Sequence, residues 1–149
     1  MEGKRSPRIL IVEDDDTVRG FLVRALESTG AEPLGVPNGE AALEAVSTPP
    51  GVAGVLIDGI LPDMHGFQLA GRIVGMPEGR YVAVCFVTGA LRDSSSFAAG
   101  VGALSKPVRL DALRGVVAKM LAWREAGGSP TEERQDVLRQ IEQAFLVGP

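Results

Sequence analysis

Ile9-Leu10-Ile11-Val12-Glu13-Asp14-Asp15-Asp16-Thr17 is the stretch on which the fold turns. A short aliphatic run followed at once by an acidic one reads as a strand buried on both faces that ends in polar side chains. Three further runs repeat the pattern. Val55-Leu56-Ile57 ends in Asp58, Val84-Cys85-Phe86-Val87 in Thr88, and Ala103-Leu104-Ser105 in Lys106. In an open parallel sheet the carboxyl ends of the strands share one crevice, and ligands bind there. Three carboxylates, a hydroxyl and an ammonium, groups suited to phosphate and Mg²⁺, are therefore expected to meet at one point.

Helical patterns fill the intervals. Asp16-Thr17 reads as an N-cap ahead of Val18, Phe21, Leu22, Ala25 and Leu26, with Gly30 closing that helix. Leu34-Gly35-Val36 is a weak second strand, ended by Pro37-Asn38-Gly39, and a helix covers Glu40 to Val46. Pro49-Pro50-Gly51 is a loop, as is Gly59 to Gly66, after which Phe67, Leu69, Ala70, Ile73 and Val74 recur at helical spacing. Met76 to Arg80 is a turn. The Ser- and Ala-rich stretch Asp93 to Ala99 reads as a short helix, and Leu110 to Trp123 as a strong amphipathic one. This alternation predicts an α/β, doubly wound parallel sheet with helices on both faces. Gly127-Gly128-Ser129-Pro130 reads as a linker, so 8–126 forms the main domain and 127–149 a linker with a final helix. That helix is expected from about Thr131 to Leu146. Ser129 would cap it, Pro130 fit its first turn, and Glu132 complete a capping box.

The chain has 149 residues, enough for one domain, with 15 Lys and Arg against 19 Asp and Glu. No basic stripe tracks a phosphate backbone, which argues against nucleic-acid binding. The single cysteine, Cys85, lies in an apolar run, where a buried hydrophobe is expected and an internal disulfide excluded. The first apolar run is too short for a signal peptide or membrane span, so a soluble cytoplasmic protein is expected.

In order, Val12-Glu13-Asp14 with Arg19, Asp58 with Leu61-Pro62 and Gly66, Thr88, and Lys106-Pro107 resemble the receiver domain of two-component response regulators, from about Arg8 to Trp123. The resemblance implies a flavodoxin-like, five-stranded parallel sheet of order 2-1-3-4-5. It implies that Asp58 accepts a phosphoryl group from a sensor histidine kinase or histidine phosphotransfer protein. It implies Mg²⁺ bound directly by Asp14 and Asp58, by Glu13 through water, and by the main-chain carbonyl of Ile60. Lys106 and Thr88 would meet the phosphoryl oxygens as point charge and hydroxyl donor. Such a chain is a phosphoacceptor, not a conventional enzyme, and signals by protein–protein contact to a downstream partner. The residues after Trp123 allow only one helix, too little for a helix-turn-helix output. Asp15 and Asp16 read as helix-capping residues and Arg19 as a helix-surface residue. His65, in an exposed loop, is expected to be neither ligand nor donor.

The chain also departs from that family. Receivers carry an aromatic three positions before the lysine, and here that position is Ala103, which has no rotamer to switch. The segment between Thr88 and Lys106 is about one helical turn short. With Asp93, Ser94, Ser95 and Ser96 at its start, helix four is expected to be short or loop-like. Gly59 and Gly89 leave access to the phosphoryl group, and apolar Ile60 offers nothing to position an attacking water, which implies a long-lived phosphoryl state. Val137, Leu138, Ile141 and Phe145 form a stripe on the last helix opposite Glu133, Gln140 and Gln143. The stripe fits folding back onto the domain or a homodimer or partner contact, with a disordered tail as the third alternative.

Two other functions stay open at this level. A degenerate receiver would serve only as a protein-interaction module, consistent with Ala103. Asp14-Asp15-Asp16-Thr17-Val18 also resembles the Asp-x-Asp-x-Thr/Val nucleophile motif of haloacid-dehalogenase-like phosphatases, with Asp14 as nucleophile. That family needs an acidic pair after its lysine, where this chain has only Asp111, and it leaves Asp58 unexplained.

Overall fold

The computed structural model of the chain describes residues 6–89, 95–128 and 132–147. Its strands are β1 (Arg8–Val12), β2 (Glu32–Val36), β3 (Gly54–Asp58), β4 (Ala83–Thr88), β5 (Ser95–Ala98) and β6 (Val101–Ser105). Its helices are α1 (Asp16–Glu27), α2 (Gly39–Ser47), α3 (Gly66–Gly75), α4 (Leu110–Glu125) and α5 (Glu132–Val147). A 3₁₀ turn at Pro77–Gly79 joins α3 to β4.

The sheet order is β2-β1-β3-β4-β6-β5. The first five strands pair in parallel and reproduce the expected 2-1-3-4-5 order, with β6 as its fifth member. Alternation along each strand sorts side chains to two faces. Leu10, Val12, Val55, Ile57, Val84 and Phe86 pack with α2 and α3. Ile9, Ile11, Leu56, Cys85, Val87 and Leu104 pack with α1 and α4. Burial on both faces explains why these strands read as unbroken apolar runs. Cys85 is fully buried there, and burial pushes its thiol well above the ordinary range.

The sixth strand corrects the sequence reading. Residues 95–98 are extended, not helical or loop-like, and run antiparallel to β6 with Ser95 opposite Leu104 and Ala98 opposite Val101. The cause is the turn. Ala99 (φ 54°) and Gly100 (φ 82°) both take left-handed backbone, the conformation of a tight two-residue hairpin. Among the described residues the sheet therefore has six strands, not five. Asp93 and Ser94, and the expected cap at Ser129 and Pro130, lie outside the described residues.

Local capping sets the helix starts that matter for the site. Asp15, one residue earlier than expected, caps α1 by accepting from Val18 N at 3.0 Å. Asn38 caps α2 by accepting from Ala41 N at 2.8 Å. Among the described residues no helix is long and apolar enough to cross a membrane.

Candidate functional site

The three acidic residues reach one point. Glu13 and Asp14 follow β1, Asp58 closes β3, and one carboxylate oxygen from each lies within 4.8 Å of the others. Glu13 is buried, Asp14 exposed and Asp58 intermediate. Lys106, directly after β6, donates to Glu13 Oε1 at 3.0 Å and lies 3.6 Å from Asp58 Oδ2. A single ammonium thus ties together the carboxyl ends of three strands.

The electrostatics follow from burial. Desolvation raises the Glu13 carboxyl above the ordinary carboxylate range, against the opposing pull of hydrogen bonds from the Asp15 amide and Lys106. For Lys106, burial acts to lower the ammonium, but the Glu13 hydrogen bond and the Asp58 charge overcome it and hold it above the usual lysine range. Three carboxylates against one ammonium still leave two formal negative charges in the crevice. Carboxylate oxygens are the hard donors that Mg²⁺ takes, usually through one or two carboxylates plus water and phosphate, so the donor set fits that ion.

Other expected site residues fall around this cluster. Thr88 ends β4 opposite Ser105, is nearly fully buried, and its main-chain carbonyl accepts from Lys106 N at 3.1 Å. Ile60 sits two residues beyond Asp58, with its amide 3.4 Å from Asp58 Oδ1 and its side chain exposed to solvent. The loop that carries it is braced by pairing of Ile60 with His65 and by Gly66 N donating to Gly59 O at 2.9 Å. His65 is an exposed residue at the N-cap of α3, stacked on Phe67. Ala103 is buried opposite Phe86, so no switchable ring occupies that position.

Two residues carry more than sequence reading assigned. Arg19 is not merely on the helix surface. Its Nη1 donates to the main-chain carbonyl of Glu13 at 2.8 Å while its Nη2 pairs with Asp16, fixing the acidic turn from outside. Asp63, unremarked in the sequence, accepts from Gly39 N at 2.9 Å and Glu40 N at 3.0 Å. Its carboxylate therefore fastens the loop after Asp58 to the positive end of α2, and the Gly39 bond holds its pKa below the ordinary value. The spacing of Arg19 from Asp14 was a usable signal for the first. Nothing local pairs Asp63 with residues 24 and 23 positions away.

The arrangement defines a receiver. The response regulator receiver domain family matches residues 9–118, and the chain belongs to that family. Over 118 residues it is 36% identical to the response regulator receiver protein CpdR of Brucella abortus, covering 76% of this chain and 96% of that protein. It is 32% identical over 132 residues to the autoinducer 1 sensor kinase/phosphatase LuxN of Vibrio harveyi, a match to 15% of that longer protein and 88% of this chain. A CheY-like receiver structure from Methylobacillus flagellatus superposes with a TM-score of 0.67 at 27% identity, covering 78% of this chain and 99% of that one. The phosphatase reading fails on both counts. The family is a receiver, and Asp16, the second acid of that motif, is exposed and paired with Arg19 outside the cluster.

Proposed function

We propose that this receiver is phosphorylation-competent, taking a phosphoryl group onto Asp58 from a histidine kinase or phosphotransfer protein and signalling by protein–protein contact. The observation that carries this reading is the Lys106 bridge, an ammonium 3.0 Å from Glu13 and 3.6 Å from Asp58 beside three clustered carboxylates. In the proposed reaction an Asp58 oxygen forms a bond to phosphorus as the P–N bond of the phosphohistidine breaks, and the imidazole leaves. A carboxylate is a weak nucleophile, so the protein's contribution is positioning and charge compensation. Lys106 neutralises charge on the incoming oxygens as a point cation, and Thr88 supplies a hydroxyl at the adjoining strand end. Asp14 and Asp58 would hold Mg²⁺ directly, Glu13 through water, with the Ile60 carbonyl as a further ligand. The ion would supply neutralisation of the crevice and of the transferred group. Arg19 and Asp63 keep the two ligand-bearing turns in place.

The degenerate alternative draws on Ala103, but the complete set of Glu13, Asp14, Asp58, Thr88 and Lys106 favours the competent form. Beryllofluoride with Mg²⁺ separates them: the proposal expects saturable binding seen by ¹⁹F NMR and lost in Asp58→Asn. Absence of binding by the wild-type chain overturns it.

A further inference from the structure

Parallel neighbours in a sheet need a crossover, and the crossover helix normally covers one face. Between β4 and β6 the described residues instead form β5, which lies in the plane of the sheet at its edge. Val82, Val84, Phe86 and Val101 of this region are nevertheless buried, on the face shared with α2 and α3. The additional element against that face is α5, through Val137, Leu138 and Ile141, while Glu133, Asp136, Arg139 and Gln140 stay exposed. The match to the receiver family model ends at residue 118, before this helix begins.

The turn that ends α4 is closely specified. Gly127 (φ 81°) donates to Arg124 O at 3.1 Å and Gly128 to Trp123 O at 2.9 Å, the paired bonds of a Schellman cap. A Cβ at Gly128 would lie 2.3 Å from Trp123 Cε2, so only glycine lets the backbone reverse this closely over the indole. On the returning helix Arg134 is fully buried. Its Nη1 donates to Arg80 O at 2.7 Å, its Nη2 donates to Val82 O, and its guanidinium lies 5.3 Å from the Trp123 ring centroid. Burial pushes this guanidinium down to about 10, still protonated at neutral pH. A desolvated cation is tolerated only where carbonyls and a ring face compensate it, so the contact selects one placement of the helix.

We propose that the sheet face over β4 and β6 is a docking surface whose occupant is the chain's own C-terminal helix, α5, standing in for a crossover helix, with Arg134 as its anchor. Val137, Leu138 and Ile141 of the stripe are then an internal contact, and a homodimer through them requires the helix to leave. This proposal is independent of phosphorylation at Asp58.

Hydrogen exchange by mass spectrometry on the full-length chain tests it, with Arg134→Ala and Ile141→Asp alongside. Trp123, the only tryptophan, gives an optical report of the same contact. Wild-type α5 amides are expected to be protected on the order of 100-fold or more, with a monomeric mass by sedimentation. Each substitution is expected to speed α5 exchange roughly 10-fold or more, shift Trp123 emission and raise binding of an apolar dye. Unprotected α5 in the wild type, a dimeric mass that Ile141→Asp converts to monomer, or unchanged α5 exchange in the variants would overturn it. Should Ile141→Asp not fold, wild-type protection, the mass and Arg134→Ala still decide the matter.

Discussion

Lys106 Nζ, after the last strand of the sheet, lies 3.0 Å from Oε1 of Glu13, after the first, 93 residues earlier in the chain. Glu13 is almost wholly shielded from water while Lys106 is about one-third exposed, so the carboxylate depends on the ammonium more than the reverse. Lys106→Met should therefore lower stability by about 1–3 kcal/mol, chiefly by stranding Glu13. Glu13→Gln in the same chain should recover most of that loss. A double-mutant cycle from urea unfolding checks it, with strict additivity as the contrary result.

Asp63 makes a pH-dependent contribution whose sign is fixed by its bonds to Gly39 and Glu40. Its pKa in the folded chain is lowered from 3.8, so the unfolded state takes up the proton first as pH falls. The stabilisation is full above the unfolded value and fades as pH drops through the folded one. The difference in urea midpoint between wild type and Asp63→Ala should be clear at pH 7 and shrink toward zero at acid pH. Asp63→Ala should also weaken Mg²⁺ binding by loosening the loop that carries Ile60.

Two glycines of α3 should respond in opposite directions. A Cβ at Gly66 would lie 2.4 Å from the carbonyl oxygen of Asp58 and 2.9 Å from Gly59 Cα, backbone that cannot yield without moving the end of β3. Gly66→Ala should destabilise by roughly 2 kcal/mol or more and impair phosphorylation. At Gly71 nothing lies within 4 Å, and Gly71→Ala should stabilise by about 0.5–1 kcal/mol through helix propensity. Thermal and urea unfolding of the pair measure both signs.

Ile60 is 64% exposed beside Asp58 and its side chain has no hydrogen-bonding group. Water near a phosphoryl group on Asp58 would thus find no side-chain orienter at that position. Ile60→Asn should shorten the phosphoryl lifetime roughly 3- to 10-fold by holding a water in place. Radiolabel loss from the purified phosphoprotein reads this directly, and an unchanged or longer lifetime contradicts it.

Most of the sheet was legible because β1, β3, β4 and β6 are buried on both faces and need continuous apolar runs. The cluster was legible for the same reason, since polar residues at the ends of such runs must converge. β5 was not. Ser95 to Ala98 has no strand composition, and its pairing follows from left-handed backbone at Ala99 and Gly100. Arg134 was equally hidden, because an arginine among Glu132, Glu133 and Gln135 looks solvent-facing. Its burial depends on carbonyls at Arg80 and Val82, more than 50 positions away in sequence.

The proposed function rests on transfer of a phosphoryl group to Asp58. Incubation with acetyl phosphate, with and without Mg²⁺, followed by intact mass and peptide mapping, tests it most directly. The expected result is a mass gain of one phosphoryl group that requires Mg²⁺, maps to Asp58 and vanishes in Asp58→Asn. No mass gain in the wild-type chain, or a gain that survives Asp58→Asn, would contradict it.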